Sequence, residues 1–524
     1  TRDGEEHGSA AWATPASVNA QFAQKESIPL TQHVRLGLDT HKHRRSLNVL
    51  VIGGSGAAKT RSFVLPNILT ANTNYVITDP KSEVLLATGG YLKEQGYDVR
   101  VLNLVNLEQS DGYNPFRYLR DEKDVLKLVN NLIQSTTPKG SHESDPFWTK
   151  AETALLQAII LMLFQEAPEY EQNFSMVMRV LEYAEVREED EGHVSPLDLL
   201  FESIERRKPD SVAVRQYKVF KLAAGKTAKS ILVSTAVRLA PFNLPQIQAL
   251  TDHDDMDLYT LGEKKVALYA VIPDNDNTFN FLVSLLYAQA FQALYYSADQ
   301  IHHGPLPRHV RFVLDEFASI PIPNMDKSLA THRSRNIRYY LCVQSLALLK
   351  ERYENPEKLL SNCASTLYLG STELELLKEL EAKLGTTCIT PDGKERPLCS
   401  QAELMTLERT WDHKEAIYMN LAEGIRYCTM LPSIEAYEIG NHPIPSFSAE
   451  PPAIATYTVA QFAADVVNKR IRAPFVPVQK KRTVSRGKRN KRPRSFSEEA
   501  SSDPDLEEEL MQKFDELFGT CEED

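Results

Sequence analysis

The chain has 524 residues, of which 42% are hydrophobic and 25% charged, and its formal net charge is −12. This composition is globular and excludes low-complexity and collagen-like chains, while the length predicts more than one domain. Because the surface as a whole is acidic, any path for DNA would require a local basic strip. The six cysteines show no C-x-x-C spacing and no apolar run reaches transmembrane length. We therefore expect reduced thiols, no cysteine-based metal site and no membrane span within this chain.

The first predicted strand, Leu47 to Ile52, leads into a glycine-rich sequence and a predicted helix at 61–69. Strand, glycine-rich turn and helix in this order are typical of the P-loop, G-x-x-x-x-G-K-[ST]. Such a loop binds phosphate through backbone N–H groups and the helix N-terminus, its lysine reaches the β- and γ-phosphates, and its hydroxyl ligates Mg²⁺. We therefore predict an ATP and Mg²⁺ site formed by the loop residues Gly53, Gly54, Ser55, Gly56, Ala57, Ala58, Lys59 and Thr60.

One residue of this loop departs from the motif. Ala58 stands where the second glycine is usual. Its methyl group would crowd the backbone beside the phosphates, since only glycine adopts every backbone conformation without a steric penalty. Nucleotide binding with little hydrolysis therefore stays open as an alternative.

A second site segment follows an apolar strand at 312–314 that ends in two carboxylates, Asp315 and Glu316. In P-loop NTPases the first acid at this strand end helps hold Mg²⁺. We predict that role for Asp315, with Thr60 as the other protein ligand, and expect Glu316 to orient the attacking water. Asp79 ends an earlier strand. Capping of the next helix, by Asp79 or by Ser82, explains an aspartate there at least as well as a catalytic role does.

The remaining pattern predicts an α/β protein with a mostly parallel sheet covered on both faces. Residues 1–46 are polar and show no regular pattern, and residues 121–250 show only helical periodicity, so we predict an all-helical domain inserted between 47–120 and 251–445. Within it, the apolar run Ala154 to Phe164 predicts a buried helix. The predicted strands are 47–52, 74–79, 98–105, 265–273, 312–314, 338–345, 365–371, 415–421 and 426–432.

The C-terminal part changes character twice. An extension at 446–478 is followed by a tail, 479–524, that is first strongly basic and then strongly acidic. Segments with such charge blocks and no apolar periodicity are typical of disorder. We predict a disordered tail, in which a short amphipathic stretch around Leu510 and Phe514 could fold on a partner.

Several segments in a fixed order resemble the TraG/TraD type of type IV secretion coupling protein, the conjugative DNA-transfer ATPases. These segments are GGSGAAKTRSFVLPNI, ITDPKSE, YNPF, VIPDNDNTFNFLVSLLYAQAF, VLDEFASIP, RSRNIRYYLCVQSLALLK and LSNCASTLYLGS. The resemblance implies a RecA-like P-loop NTPase fold with an all-α domain. It also implies that Gln344 senses the γ-phosphate and that an arginine of the RSRN segment, Arg335 rather than Arg333, acts on the site of a neighbouring subunit.

The resemblance further implies partners and a place in the cell. Members act as homohexamers, recruit a relaxase with its accessory proteins and DNA, expected to be single-stranded, and deliver them to the ATPases and inner-membrane components of a type IV secretion channel. The full-length protein would lie at the cytoplasmic face of the bacterial plasma membrane. The function that we expect is thus a motor that uses ATP hydrolysis to transfer DNA and protein. One alternative is a receptor that binds nucleotide and only recruits the substrate. Another is a DNA pump for chromosome segregation, but YNPF and the inserted domain fit such a pump poorly.

Overall fold

The structure, a computed structural model, describes residues 10–430 except 138–145, 185–193, 224, 321, 354, 388–395, 408–414 and 421–424. The predicted extension at 446–478 and the charged tail at 479–524 lie outside the described residues. The described chain forms two compact units. Unit 1 comprises the residues up to Asp111 and those from Asp255 onward, and unit 2 runs from Gly112 to Asp254.

The strands are, in chain order, β1 (Ser27–Pro29), β2 (Arg35–Gly37), β3 (Val49–Ile52), β4 (Asn74–Pro80), β5 (Asp98–Asn103), β6 (Val266–Ile272), β7 (Val310–Leu314), β8 (Ile337–Val343), β9 (Ser365–Tyr368), β10 (Thr386–Thr387), β11 (Arg396–Pro397), β12 (Glu415–Asn420) and β13 (Ile425–Met430).

The helices are α1 (Pro15–Phe22), α2 (Thr40–His43), α3 (Leu65–Leu69), α4 (Glu83–Glu94), α5 (Glu122–Thr136), α6 (Pro146–Glu166), α7 (Phe174–Glu182), α8 (Pro196–Arg207), α9 (Val212–Lys221), α10 (Gly225–Leu239), α11 (Pro245–Thr251), α12 (Asn280–Tyr296), α13 (Met325–Thr331), α14 (Leu346–Arg352), α15 (Pro356–Leu360), α16 (Leu374–Leu384) and α17 (Gln401–Met405). A π-helical turn, Thr60–Val64, runs directly into α3.

Unit 1 is built on one nine-stranded sheet with the order β13-β12-β9-β3-β8-β7-β4-β6-β5. Every pair from β9 to β5 is parallel, and only β12 pairs antiparallel with its two neighbours. Because β3, β8, β7 and β4 are adjacent and parallel, their carboxyl ends meet at one edge of the sheet. Open parallel sheets bind their ligands at that edge. We call it the carboxyl edge and the other one the amino edge.

The inner strands have the composition that burial on both faces requires. All seven residues of β6 are buried, and it reads as the continuous apolar run VALYAVI. Such a run is typical of a parallel strand covered on both faces, whereas a strand with one face exposed to solvent alternates apolar and polar residues. The apolar patterns that predicted the sheet therefore reflect its real burial.

The N-terminal part of the chain is more ordered than its polar sequence predicts. Residues before 47 include the hairpin of β1 and β2, and the apolar side chains of this part, such as Phe22, Ile28 and Leu36, are buried in the core of the sheet. Three-residue strands are too short for a periodic pattern to appear, which explains why the sequence predicted no element here.

Unit 2 consists of helices in the residues that the structure describes. At its centre lies α6, where Leu155, Ile159 and Leu163 are fully buried. The buried helix predicted at Ala154 to Phe164 is thus confirmed. The chain enters α5 at Asp121, whose side chain accepts a hydrogen bond from the N–H of Asp124 (3.0 Å), an N-cap that satisfies an otherwise unpaired helix donor. Among the described residues of both units, no helix is both long and apolar enough to cross a membrane.

Candidate nucleotide site

The glycine-rich loop is fixed to the ends of two neighbouring strands. The N–H of Gly53 donates to the carbonyl oxygen of Val343 at 3.1 Å, and the N–H of Gly54 donates to that of Gly370 at 2.9 Å. A Cβ atom on Gly53 would lie 2.8 Å from the Cβ of Ala57, closer than side chains approach one another. Glycine is therefore required at 53 because the loop folds tightly over itself.

Ala58 adopts a backbone conformation that favours glycine. Its φ angle is +62°, in the left-handed region, as is that of Gly56 at +73°. An L-residue there costs about 1–2 kcal/mol because Cβ crowds its own backbone. The loop thus accommodates the alanine at a cost in local strain.

Lys59 lies over the loop that precedes it. Its ammonium donates to the carbonyl oxygen of Gly53 at 2.8 Å and contacts that of Gly54 at 3.4 Å, and the residue is only 6% exposed. An ammonium has three donors and no acceptor, so it can exchange these carbonyls for phosphate oxygens. Lys59 thus lies within the loop, and its predicted contact with the phosphates stays a prediction.

Thr60 and Asp315 are 255 residues apart in the chain but are in direct contact. The Thr60 hydroxyl donates to Oδ2 of Asp315 at 2.5 Å. The carboxyl is 2% exposed, and its other oxygen, Oδ1, has no hydrogen-bond partner among the described residues. Burial raises the pKa of Asp315 to about 6, and the charge of Glu316 adds to this, whereas the Thr60 hydrogen bond and Lys59 oppose it.

This donor set fits Mg²⁺. The cation takes oxygen ligands, usually one or two from the protein, with waters and substrate phosphates completing the shell. An unpaired buried carboxylate oxygen beside a hydroxyl supplies such ligands, and a bound cation would offset the cost of burying the charge. In the described chain, no group of three or more His, Cys, Asp or Glu side chains is placed to hold a metal ion.

Glu316 and Gln344 also meet at the carboxyl edge. The amide of Gln344 donates to Oε1 of Glu316, and both side chains are partly exposed. Glu316 has a positive φ of +59°. Strained non-glycine residues tend to gather at functional sites, because the surrounding structure must hold them there. The two residues predicted to act on the attacking water and the γ-phosphate are therefore in direct contact.

Asp79 has the structural role that the sequence left open. Its two carboxylate oxygens accept hydrogen bonds from the N–H groups of Val84 (3.1 Å) and Leu85 (2.7 Å) at the start of α4. Helix capping by Asp79 is thus confirmed, whereas the side chain of Ser82 makes no capping bond. Burial raises the pKa of this fully buried carboxyl to about 7.

Lys81 also lies at this edge, although the sequence assigned it no role. Lys81 forms an ion pair with Asp274 at 3.0 Å, which raises the pKa of Lys81, and the charge of Glu316 raises it further. Lys81 and Ser82 both have positive φ, so with Ala58 and Glu316 four strained residues end or follow the strands of this edge. Lys81 directly follows β4, whose last two residues are Asp79 and Pro80.

The two candidate arginines lie at the amino edge, away from the loop of their own chain. They precede β8, whereas Gln344 follows it, and a seven-residue strand spans roughly 20 Å. Arg335 forms a two-pronged ion pair with Asp299 (2.8 Å for each contact) and lies over the ring of Tyr295 at 4.6 Å. Arg333 is exposed and donates to the carbonyl oxygen of Arg44 at 2.7 Å.

Comparisons with known proteins cover most of the chain. Two conjugal transfer proteins TraG of Escherichia coli are 23% and 22% identical over 440 and 419 residues, which is 74% of this chain. The chain spans 65% of the length of these relatives. Among solved structures, the bacterial conjugative coupling protein TrwBdeltaN70 with sulphate superposes with a TM-score of 0.60 at 16% identity, over 85% of this chain and 96% of that one.

A second structure adds a nucleotide complex. The plasmid coupling protein TrwB in complex with the non-hydrolysable ATP analogue ADPNP gives a TM-score of 0.58 at 16% identity, over 84% of this chain and 96% of that one. These similarities confirm the predicted RecA-like P-loop fold. The model of the family described as type IV secretory system conjugative DNA transfer matches residues 17–425. The chain therefore belongs to this family of conjugative DNA-transfer proteins.

Proposed function

We propose that this chain is an ATPase that energises conjugative DNA transfer. The observation that carries the proposal is the buried contact between Thr60 and Asp315 beside Lys59, since it joins the two halves of an NTPase site. A TrwB structure contains ADP and Mg²⁺, which is consistent with the same ligands here.

Each residue of the site would have a distinct task. Lys59 and the loop N–H groups would bind the β- and γ-phosphates, and Thr60 and Asp315 would hold Mg²⁺, which supplies positive charge to the phosphate oxygens. Glu316 would orient the attacking water. Gln344, which already contacts Glu316, would report the presence of the γ-phosphate to this carboxylate.

The wider role follows from the family. We propose that the chain works as a homohexamer at the cytoplasmic face of the membrane. There it would recruit a relaxase with its accessory proteins and DNA, and deliver them to the secretion channel. One arginine of the amino edge would complete the site of a neighbouring subunit, because neither arginine can reach its own.

The alternative function, a receptor that binds nucleotide with little hydrolysis, depends on Ala58, which replaces the second glycine of the motif. The Ala58 φ of +62° lies in the left-handed region that glycine favours, and the next two residues, Lys59 and Thr60, still contact Gly53 and Asp315. This observation supports the ATPase over the receptor.

The two functions separate in a steady-state ATPase assay, run with and without single-stranded DNA. We expect hydrolysis by the wild-type chain and its loss in Lys59→Ala, because the transition state loses a charge-assisted phosphate contact. Lys42→Ala is the matched control, since Lys42 is exposed on α2 and pairs weakly with Asp39 (3.7 Å). Nucleotide binding by the wild-type chain without hydrolysis under any of these conditions would favour the receptor.

A further inference from the structure

Two arginines lie side by side inside unit 1, near the amino edge. Arg311 of β7 and Arg338 of β8 are register partners on neighbouring parallel strands, so their side chains share one face of the sheet. Each is only 1% exposed. Two buried like charges repel each other and have lost their hydration, which is costly unless an anion compensates them.

The hydrogen bonds of Arg338 leave one side of its guanidinium unused. Nη1 donates to the carbonyl oxygens of Arg333 and Ile337, both at 2.7 Å. Nε and Nη2 are buried and have no acceptor among the described residues. These two N–H groups point in the same direction and form the fork with which arginine binds an oxyanion through two parallel hydrogen bonds.

Arg311 adds a second set of unused donors. Its guanidinium lies over the ring of Tyr340 at 4.8 Å, which compensates part of its charge. Its Nε and Nη1 are buried and, like the fork of Arg338, meet no acceptor in the described part of the chain. Across that part, neither arginine has a carboxylate within ion-pairing distance.

The surroundings are basic as well. His309 lies two residues before Arg311, and its buried Nδ1 has no partner in the described residues. Burial, together with the charges of Arg338 and Arg311, lowers the pKa of His309 to about 4, and burial lowers that of Arg338 to about 10. Arg308 and Arg333, which adjoin the cluster along the chain, are exposed and would draw anions toward it.

We propose that Arg311, Arg338 and His309 form a binding site for a free phosphate-sized oxyanion near the amino edge of the sheet, separate from the P-loop. Water could satisfy the unused donors but could not neutralise two adjacent cations. A tetrahedral oxyanion does both, because it offers several acceptor oxygens and negative charge. The near-complete burial of both arginines fits a small anion better than the backbone of a polymer.

The site can be tested by phosphate binding to the full chain saturated with ADP and Mg²⁺, so that the P-loop contributes nothing. Sodium phosphate is titrated at constant ionic strength against sodium chloride, by calorimetry and by thermal unfolding. We expect saturable binding and a rise of Tm that follows phosphate and not chloride, because a ligand of the folded state stabilises it. In Arg338→Met, which replaces the buried charge with an apolar side chain, affinity should fall about ten- to a hundredfold.

Two further variants distinguish the fork from charge alone. Arg338→Lys keeps the charge but loses the fork, and should also bind phosphate more weakly. Arg215→Met is the matched control, because Arg215 is exposed in unit 2 and pairs with Asp210 (3.0 Å), and it should bind phosphate like the wild type. If Arg338→Met does not fold, Arg311→Met tests the same site, and its affinity for phosphate should also fall.

Three results would overturn the proposal. The first is no phosphate binding beyond the effect of chloride, and the second is equal binding by the wild type, Arg338→Met and Arg311→Met. The third comes from a single-stranded oligonucleotide titrated in parallel. If the oligonucleotide binds in an Arg338-dependent way and free phosphate does not, the site takes backbone phosphates and not a free anion.

Discussion

Replacing Ala58 by glycine should stabilise this protein, although glycine usually weakens folded structure. The reason is the φ of +62° at Ala58, which costs an L-residue about 1–2 kcal/mol and costs glycine almost nothing. Glycine also makes the unfolded chain more flexible, which lowers stability by about 0.4–1 kcal/mol. The difference is an increase in the free energy of unfolding of about 0–1.6 kcal/mol for Ala58→Gly, centred near 0.8 kcal/mol.

The neighbouring alanine provides a control with the opposite sign. Ala57 is 4% exposed and packs against Gly53, and its φ is not among the positive values. Ala57→Gly therefore loses a buried methyl group and gains unfolded-state entropy, so it should lower the free energy of unfolding by about 1–2 kcal/mol. The same substitution at adjacent positions thus has opposite expected effects.

Urea unfolding of the three proteins, followed by tryptophan fluorescence and circular dichroism, measures both effects. ADP affinity in the presence of Mg²⁺ is measured in parallel, and Ala58→Gly should keep or improve it because the loop shape is unchanged. A loss of stability in Ala58→Gly as large as that in Ala57→Gly would show that the backbone at 58 is not in the left-handed region, and the account of this loop would be wrong.

Three further results are expected. Glu316→Gln should bind ATP but hydrolyse it slowly, measured by single-turnover assay, because an amide cannot polarise the attacking water; a wild-type rate would remove Glu316 from the mechanism. Mixing Lys59→Ala with Arg333→Ala or with Arg335→Ala should restore activity for whichever arginine acts across a subunit boundary; no restoration in either mixture, with hexamers shown to form, would count against a role in trans. Because the pKa of Asp79 is about 7 in the folded state, the folded state binds more protons between about pH 4 and 7, and its stability should fall as pH rises through that range. Asp79→Asn should lose this part of the pH dependence, and an unchanged unfolding profile would contradict the assignment.

The two arginines of the mixing experiment differ in their present contacts. Arg335 is held by Asp299, and its removal would leave that acid without its partner, so Arg335→Ala should also lower stability. Arg333 keeps one hydrogen bond, to a backbone oxygen, and is freer to reach a neighbour. A stability measurement on each variant therefore separates a structural loss from a catalytic one.

Much of the sheet could be predicted because its strands are buried on both faces. Runs such as Val266 to Ile272 have no other simple explanation, and the P-loop follows one of them directly. The hairpin at Ser27 to Gly37 could not be predicted, since three-residue strands leave no periodic trace. The contact between Glu316 and Gln344 was also beyond pattern reasoning, because it depends on the pairing of β7 with β8, which no local signal specifies.

Strand β8 connects the two parts of this site, the P-loop and the carboxylates Asp315 and Glu316. It lies between β3, which carries the P-loop, and β7, which carries Asp315 and Glu316, and its register with β7 pairs Leu314 with Leu341. A slip of one residue would turn every side chain of β8 to the other face, so burial on both sides fixes this register strongly. The two candidate arginines precede this strand and Gln344 follows it. A neighbouring subunit that contacted the amino edge would therefore meet an element whose other end is followed by the residue that contacts Glu316.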